Sequence, residues 1–115
     1  MTTLKNTVRL IGHVGHVPEI KKMKNGRKLA KFSIATNEVY YNNKGEKVNR
    51  TYWHNIVAWG KTAEIIDRYV DKGKEIAIEG KLTNRAYDTP EGYKRYVTEI
   101  VINEILMLNR NKQQN

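Results

Sequence analysis

Two tryptophans, Trp53 and Trp59, lie in the stretch TYWHNIVAWGKT, which covers residues 51–62. Side chains alternate across a β-strand, so both indole rings are expected on one face and His54 on the other. Lys61 follows directly. Aromatic rings beside a positive charge suit single-stranded nucleic acid, because every base has a face that can stack and every phosphate carries a charge. The alternative is a strand buried on both faces, with both tryptophans in the protein core.

The charge balance of the chain favours an acidic partner. Its 115 residues include 21 lysines and arginines against 12 aspartates and glutamates, for a formal net charge of +9. No segment combines a basic face with an apolar face over the length of a helix, which favours nucleic acid over an anionic membrane. A basic surface that serves only solubility is the alternative.

Composition excludes several classes of protein. There is no cysteine, so disulfides, thiolate metal sites and a cysteine nucleophile are excluded. No window approaches the ~18 apolar residues of a membrane span, and the amino terminus lacks the apolar run of a signal peptide. These features predict a soluble protein of the cytoplasm, with a length that fits one domain.

The motifs that could indicate an enzyme each lack a residue or a geometry that their chemistry requires. The tripeptide GKT at residues 60–62 resembles the end of a phosphate-binding loop, but Asn55 stands where that motif needs a glycine. His13 and His16 are three positions apart and face opposite sides of a strand, which argues against a metal site. The sequence therefore predicts a protein that is not an enzyme and that has no catalytic residues, cofactor or metal.

Other elements must position the tryptophans, and hydrophobic periodicity indicates which. Alternating patterns predict four more strands, over residues 5–15, 29–40, 75–87 and 93–108. The spacing of Ala63, Ile66 and Val70 predicts one α-helix over residues 61–72, closed by Gly73.

The segments between the strands carry turn signals. Asn25-Gly26 and the segment 89–92 predict turns. Residues 42–50, NNKGEKVNR, are too many for a tight turn and predict an extended basic hairpin. Gly12, inside the first strand, predicts the sharp bend that a small barrel needs to close.

Three strands, one helix and two strands is the order of an OB-fold barrel. The sequence therefore predicts an all-β fold, a five-stranded OB-fold barrel with one α-helix between strands 3 and 4. This domain is expected over residues 1–108, and residues 109–115 are expected to form a short polar tail. An open sandwich of five strands is the alternative.

Three stretches together resemble the bacterial single-stranded DNA-binding protein (SSB) family over about residues 3–108. They are the opening strands, NTVRLIGHVGHVPEIKKMKNGRKLAKFSIATNE, the segment YWHNIVAWGKTAEI, and the closing hairpin, EIAIEGKLTNRAYDTPEGYKRYVTEIVIN. The resemblance implies a homotetramer that binds and protects single-stranded DNA in replication, recombination and repair. It also implies a cytoplasmic location in association with the nucleoid.

The resemblance carries over the family's stacking positions, at the end of the second strand, on the Trp-His strand and in the fourth-strand hairpin. In this sequence they fall on four aromatic residues, namely Tyr40, Trp53, Trp59 and Tyr87. Basic side chains near them are expected to contact phosphates and extend the path, namely Lys61, Lys74 and Arg85. Binding by stacking predicts little preference among bases.

Members of the family usually continue into a linker and an acidic tip that recruits repair and replication enzymes. No acidic residue follows Glu104 here, so we expect DNA coating without recruitment of those tail-dependent partners. The runner-up is an OB-fold replication accessory of the primosomal type. Such a protein could bind through charge alone, whereas the aromatic positions predict stacking.

Overall fold

Six strands and one helix form the part of the chain that the computed structural model describes, residues 4–108. In chain order they are β1 (Val8–Val14), β2 (Glu19–Lys22), β3 (Lys28–Tyr41), β4 (Lys47–Trp59), α1 (Gly60–Tyr69), β5 (Glu75–Asp88) and β6 (Lys94–Met107). The predicted tail at residues 109–115 lies outside the described residues. Helix α1 is too short and too polar to cross a membrane, and the described residues contain no other helix that could.

The strands close into a barrel. The sheet order is β1-β5-β6-β4-β3-β2, and β1 also pairs with β3, which closes five strands into a ring and leaves β2 outside it. The β4–β6 pair is parallel, with Ile56 opposite Ile100, and the other pairs are antiparallel. The predicted five-stranded OB-fold barrel with its helix between the third and fourth barrel strands is confirmed. Strand β2, which was not predicted, adds a short partner to β3.

Closure depends on Gly12. Residues 8–13 of β1 pair with β5, and His13 and Val14 pair with β3. A Cβ atom at Gly12 would collide with the carbonyl oxygen of Ala35 on β3. This close approach marks the place where β1 changes partners, and the predicted bend in the first strand stays a prediction.

The core lies inside the barrel and is capped at one end by α1, which packs against β3 and β4. Its largest fully buried side chains are four isoleucines, Ile34, Ile56, Ile66 and Ile76. Ala63, Ile66 and Val70 form the buried face of the helical segment, as the sequence predicted. Burial of this face holds α1 in place, because a helix of ten residues is marginal in isolation.

The helix ends earlier than predicted. Val70 has an extended backbone, with φ −98° and ψ 122°, and its N–H donates to the carbonyl of Ile66. Its side chain is buried, so the chain turns inward there instead of completing another helical turn. Gly73 is therefore not the cap: it lies in the following turn, where its N–H donates to the carbonyl of Val14.

The loop expected over residues 42–50 is a tight turn. The N–H of Asn42 donates to Glu46 O at 3.0 Å, and the N–H of Gly45 donates back to Asn42 O at 3.0 Å. Gly45 has φ 78°, a left-handed conformation that other residues rarely adopt. Residues 47–50 belong to β4. The prediction that this segment is too long for a tight turn was wrong, because a three-residue turn with a glycine suffices. The strands on either side of the turn do form an extended hairpin.

Two pairs of strands continue past the barrel as hairpin arms with exposed side chains, β3 with β4 and β5 with β6. Leu82 is 46% exposed, because β5 leaves the barrel at this point. The side chain of Asn6 pairs with both the N–H and the C=O of Leu82. Side chains on the arms are therefore available to a ligand.

Candidate nucleic-acid interface

Strands β3, β4, β6 and β5 share one continuous outer surface. In their register Lys31 lies beside Val57, Val57 beside Val101, and Val101 beside Lys81. The even-numbered neighbours on β4 and β6, such as Ile56 and Ile100, belong to the core. Side chains at odd positions of β3, β4 and β5, and of β6 as far as Val101, therefore point away from the core, and we call this surface the outer face. Past the register shift between β5 and β6, Ile105 and Met107 pack against the core instead.

Trp53 and Trp59 both lie on the outer face, as the alternation predicted. Trp53 is 62% exposed, and one edge of its ring packs against Gly15. A Cβ atom at Gly15 would lie 2.5 Å from Cζ3 of Trp53, so only glycine leaves room for the indole there. Trp59 is half-buried. Exposure of Trp53 contradicts the alternative of a strand buried on both faces.

The ring of Trp59 is covered on one side by a cation. The guanidinium of Arg27 lies 4.8 Å from the ring centroid, a distance at which cation–π attraction operates. Arg27 belongs to the turn that joins β2 and β3, and Leu29 at the start of β3 pairs with Trp59. Sequence reasoning missed Arg27, although the basic run KKMKNGRK was a signal that the turn carries charge.

Tyr87 and Arg85 lie on the outer face of the β5–β6 arm. Tyr87 is 46% exposed, and the Arg85 guanidinium lies 5.9 Å from its ring centroid. Arg85 donates to both carboxylate oxygens of Glu99, with Nη2–Oε2 at 2.8 Å and Nε–Oε1 at 3.3 Å. This pairing raises the pKa of Arg85 and lowers the pKa of Glu99. Arg85 is therefore held over Tyr87 by an ion pair.

Tyr40 lies on the other face of the β3–β4 arm. It pairs with Val48 in the register, and its even position places it opposite to Trp53. Nη2 of Arg50 donates to Tyr40 Oη at 3.1 Å, and its guanidinium lies 5.6 Å from the ring centroid. The hydrogen bond with Tyr52 raises the pKa of Arg50. The four predicted stacking rings therefore do not form one platform: three share the outer face, and Tyr40 lies behind it with Arg50 and Tyr52.

The two predicted lysines are at different places on the barrel. Lys61 is exposed in the first turn of α1, two positions after Trp59. Lys74 precedes β5, and its carbonyl accepts the N–H of Val14 at 2.9 Å. Within residues 4–108 neither ammonium group is in an ion pair, so both remain available to phosphate.

The motifs rejected from the sequence have structural roles. The GKT tripeptide starts α1 directly after β4, so there is no loop to enclose a phosphate. Nε2 of His54 lies 3.0 Å from Oγ1 of Thr36, in a partly buried pair on the side away from the tryptophans. Across residues 4–108 no three His, Asp or Glu side chains are grouped closely enough to hold a metal ion.

Comparison with known proteins gives a consistent picture. The chain is 43% identical over 104 residues to single-stranded DNA-binding protein 1 of Chlorobaculum tepidum, covering 90% of this chain and 64% of that protein. It is 42% identical over 103 residues to the single-stranded DNA-binding protein of Neisseria meningitidis serogroup A, covering 90% of this chain and 59% of that protein. The chain thus spans about six-tenths of the length of these curated relatives.

A solved structure shares the fold. It is a Plasmodium falciparum SSB in complex with single-stranded DNA, with a TM-score of 0.87 and 33% sequence identity. The match covers 95% of this chain and 99% of that one. The profile of the single-strand binding protein family matches residues 5–108, which is almost all of the described barrel. By sequence and by barrel topology alike, the chain belongs to the single-strand binding protein family.

Proposed function

We propose that this protein binds and protects single-stranded DNA, largely independently of sequence, in replication, recombination and repair in the cytoplasm. The observation that carries the proposal is the outer face, where Trp53 is 62% exposed on a chain with a net charge of +9. A large exposed indole is costly on a surface without a ligand, because water solvates it poorly. The names of the relatives and the DNA in the Plasmodium complex support the same ligand.

Base stacking and ionic contacts to phosphates both contribute to binding. Bases stack on the open faces of Trp53, Trp59 and Tyr87, each stack contributing ~1–3 kcal/mol. Arg27 and Arg85 lie over the rings of Trp59 and Tyr87, so each guanidinium is also near the phosphates of a strand that stacks there. Lys61 and Lys74 extend the basic path. Tyr40 is reached only by a strand that passes around the edge of the β3–β4 arm.

The protein acts as a homotetramer in this proposal. An apolar groove of about 520 Å³ lies between β1, β5 and β6, away from the tryptophans. Its lining includes Ile11 and Leu106, which are 57% and 62% exposed. Exposed apolar patches of this kind mark contacts between proteins. A monomer or dimer in light scattering would favour a primosomal-type accessory protein instead.

Titration with oligo-dT, followed by tryptophan fluorescence, tests the proposed function. We expect quenching, because bases that stack on Trp53 and Trp59 alter the indole emission. Affinity should fall with salt, with log K decreasing by roughly 0.7 per phosphate neutralised for each tenfold rise in salt. Duplex DNA of the same length is the control and should bind more weakly. Tryptophan emission that is not quenched by oligo-dT, or an affinity that does not depend on the salt concentration, would contradict the proposal.

A further inference from the structure

The middle of the outer face carries no net positive charge, although the chain as a whole carries +9. A depression of about 290 Å³ lies there, and two carboxylates, Glu19 and Glu99, line it with one lysine, Lys31. The same lining includes the two outer-face positions between the tryptophans of β4, Asn55 and Val57. A strand that stacks on both indole rings must therefore pass over this depression.

Glu99 is held in the depression by an ion pair. It is 8% exposed and is the one charged residue that is buried among residues 4–108. Nη2 and Nε of Arg85 donate to its two carboxylate oxygens, at 2.8 and 3.3 Å. These hydrogen bonds, with smaller contributions from the charges of Arg85 and Lys31, hold the pKa of Glu99 below its ordinary value, so the carboxylate is ionised at neutral pH. The positive charge of Arg85 is therefore balanced before any DNA arrives.

A phosphate placed over the depression meets two unfavourable effects. The ionised carboxylate repels it, and this repulsion is larger than at an exposed site, because water and salt screen a buried charge less. Arg85 also attracts the phosphate less than a free arginine would, since two of its N–H groups are bonded to Glu99. An uncharged base over the same depression meets neither effect.

Single-stranded and duplex DNA differ in whether they can avoid these effects. The two tryptophans are six positions apart on β4, which is about 20 Å along an extended strand. A duplex laid over that length carries about 12 phosphates, one per ~1.7 Å of its axis, and its bases are already paired and stacked inside. A single strand can turn its bases toward the indole rings and the depression, and keep its phosphates near the surrounding cations. The charge pattern of the outer face therefore favours a strand whose bases are free.

We propose that Glu99 is a specificity-determining residue, which lowers the affinity of the outer face for duplex DNA and so increases its selectivity for single strands. The carboxylate repels a phosphate backbone and keeps Arg85 from pairing with one. An unfavourable contact with the wrong ligand is a general source of specificity. The inference rests on the proposed function and deepens it: stacking and basic contacts supply the affinity for a single strand of any sequence, and Glu99 supplies part of the rejection of a duplex.

Glu99→Gln tests this role, because glutamine keeps the shape of the side chain and one acceptor for Arg85 but removes the negative charge. Fluorescence anisotropy at low salt measures the Kd of labelled oligo-dT and of a labelled dA·dT duplex of the same length. We expect the duplex to bind the variant at least about fivefold more tightly than the wild type, and oligo-dT to stay within about twofold. Oligo-dT changes little because its bases already cover the depression, and because a looser Arg85 weakens the contact at Tyr87.

The salt dependence of duplex binding gives a second readout. An Arg85 that is released to one phosphate of the duplex steepens the fall of log K with log salt by up to about 0.9. A purely structural effect of the substitution would not add a phosphate contact, so it would leave this slope unchanged or make it shallower.

Two further variants separate the local charge of Glu99 from other effects. Asp71→Asn changes the net charge by the same amount, but Asp71 is exposed between α1 and β5, so the ratio of the two Kd values should stay at its wild-type value. Glu99→Asp keeps a carboxylate and should keep most of the selectivity. Urea midpoints show whether each variant is folded.

The outcomes separate the inference from the proposed function. An unchanged duplex Kd in a folded Glu99→Gln, or a gain that Asp71→Asn shares, overturns the role of Glu99 and leaves single-stranded DNA binding intact. If the wild type binds no duplex, the appearance of duplex binding in Glu99→Gln is the expected result, and its absence overturns the inference. Loss of selectivity in a folded Glu99→Asp overturns the assignment to charge, whether or not Glu99→Gln folds. Failure of oligo-dT to bind the wild-type chain overturns both proposals.

Discussion

Replacing Trp53 with alanine is expected to weaken both DNA binding and the fold, by comparable amounts of free energy. The side chain is 62% exposed, so the covered part of an indole that can bury ~250 Å² is about 95 Å². At about 25 cal/mol per Å² its loss lowers the free energy of unfolding by ~2 kcal/mol, as an upper estimate. The lost base stack costs ~1–3 kcal/mol of binding, which corresponds to a rise in Kd of about 5- to 150-fold.

Fluorescence anisotropy of labelled oligo-dT measures this change at constant salt, because the readout does not depend on the tryptophan that is removed. Trp53→Phe keeps a ring and should lose only part of the affinity. Tyr69→Ala is the matched control: Tyr69 is 55% exposed on α1 and does not belong to the outer face. If Trp53→Ala bound with the wild-type Kd while its urea midpoint showed it to be folded, the stacking role of Trp53 would be refuted.

Three further predictions follow from particular contacts. Gly15→Ala should displace the ring of Trp53, since the new Cβ would lie 2.5 Å from Cζ3, and anisotropy should show weaker oligo-dT binding with little change in the urea midpoint. Gly80→Ala should lower the free energy of unfolding by roughly 1–3 kcal/mol in urea titration, because the Cβ would meet the backbone of Val101; a wild-type midpoint would argue against this close approach. Arg85 lowers the pKa of Glu99 in the folded protein. The ionised Glu99 therefore stabilises the fold at pH values above its unfolded pKa of about 4.3. This stabilisation is lost as the pH falls through the lower pKa of the folded state. Glu99→Gln should therefore flatten the acid side of the stability profile measured by urea midpoints, and an unchanged profile would contradict the ion pair.

Much of the architecture follows from local patterns in the chain. The period of two along β4 predicted that Trp53 and Trp59 share one face and that His54 lies on the other, and the structure agrees. These predictions succeed because alternation is a property of the strand backbone and needs no knowledge of its neighbours. The sequence also indicated a special role for Gly12, and the structure places this residue against the backbone of Ala35.

Features that depend on which strand lies next to which were not predicted. Tyr40 matches a stacking position of the family in sequence, yet the β3–β4 register places it on the face opposite to Trp53. Helix α1 stops at Tyr69, and Val70, which follows it, has an extended backbone and a side chain buried in the core. Each of these features depends on packing between segments, which hydrophobic periodicity within one segment does not contain.

The candidate site also combines features that follow from residue types with features that depend on contacts between distant segments. The exposed rings and the positive charge could be inferred from residue types, because a tryptophan and a lysine keep their chemistry in any fold. The partners of those rings could not. Arg27 reaches Trp59 across 32 positions of sequence, and Arg85 reaches Glu99 across 14. Such contacts exist only after the barrel closes, since strand pairing, and not the order of residues, sets the distance between their side chains.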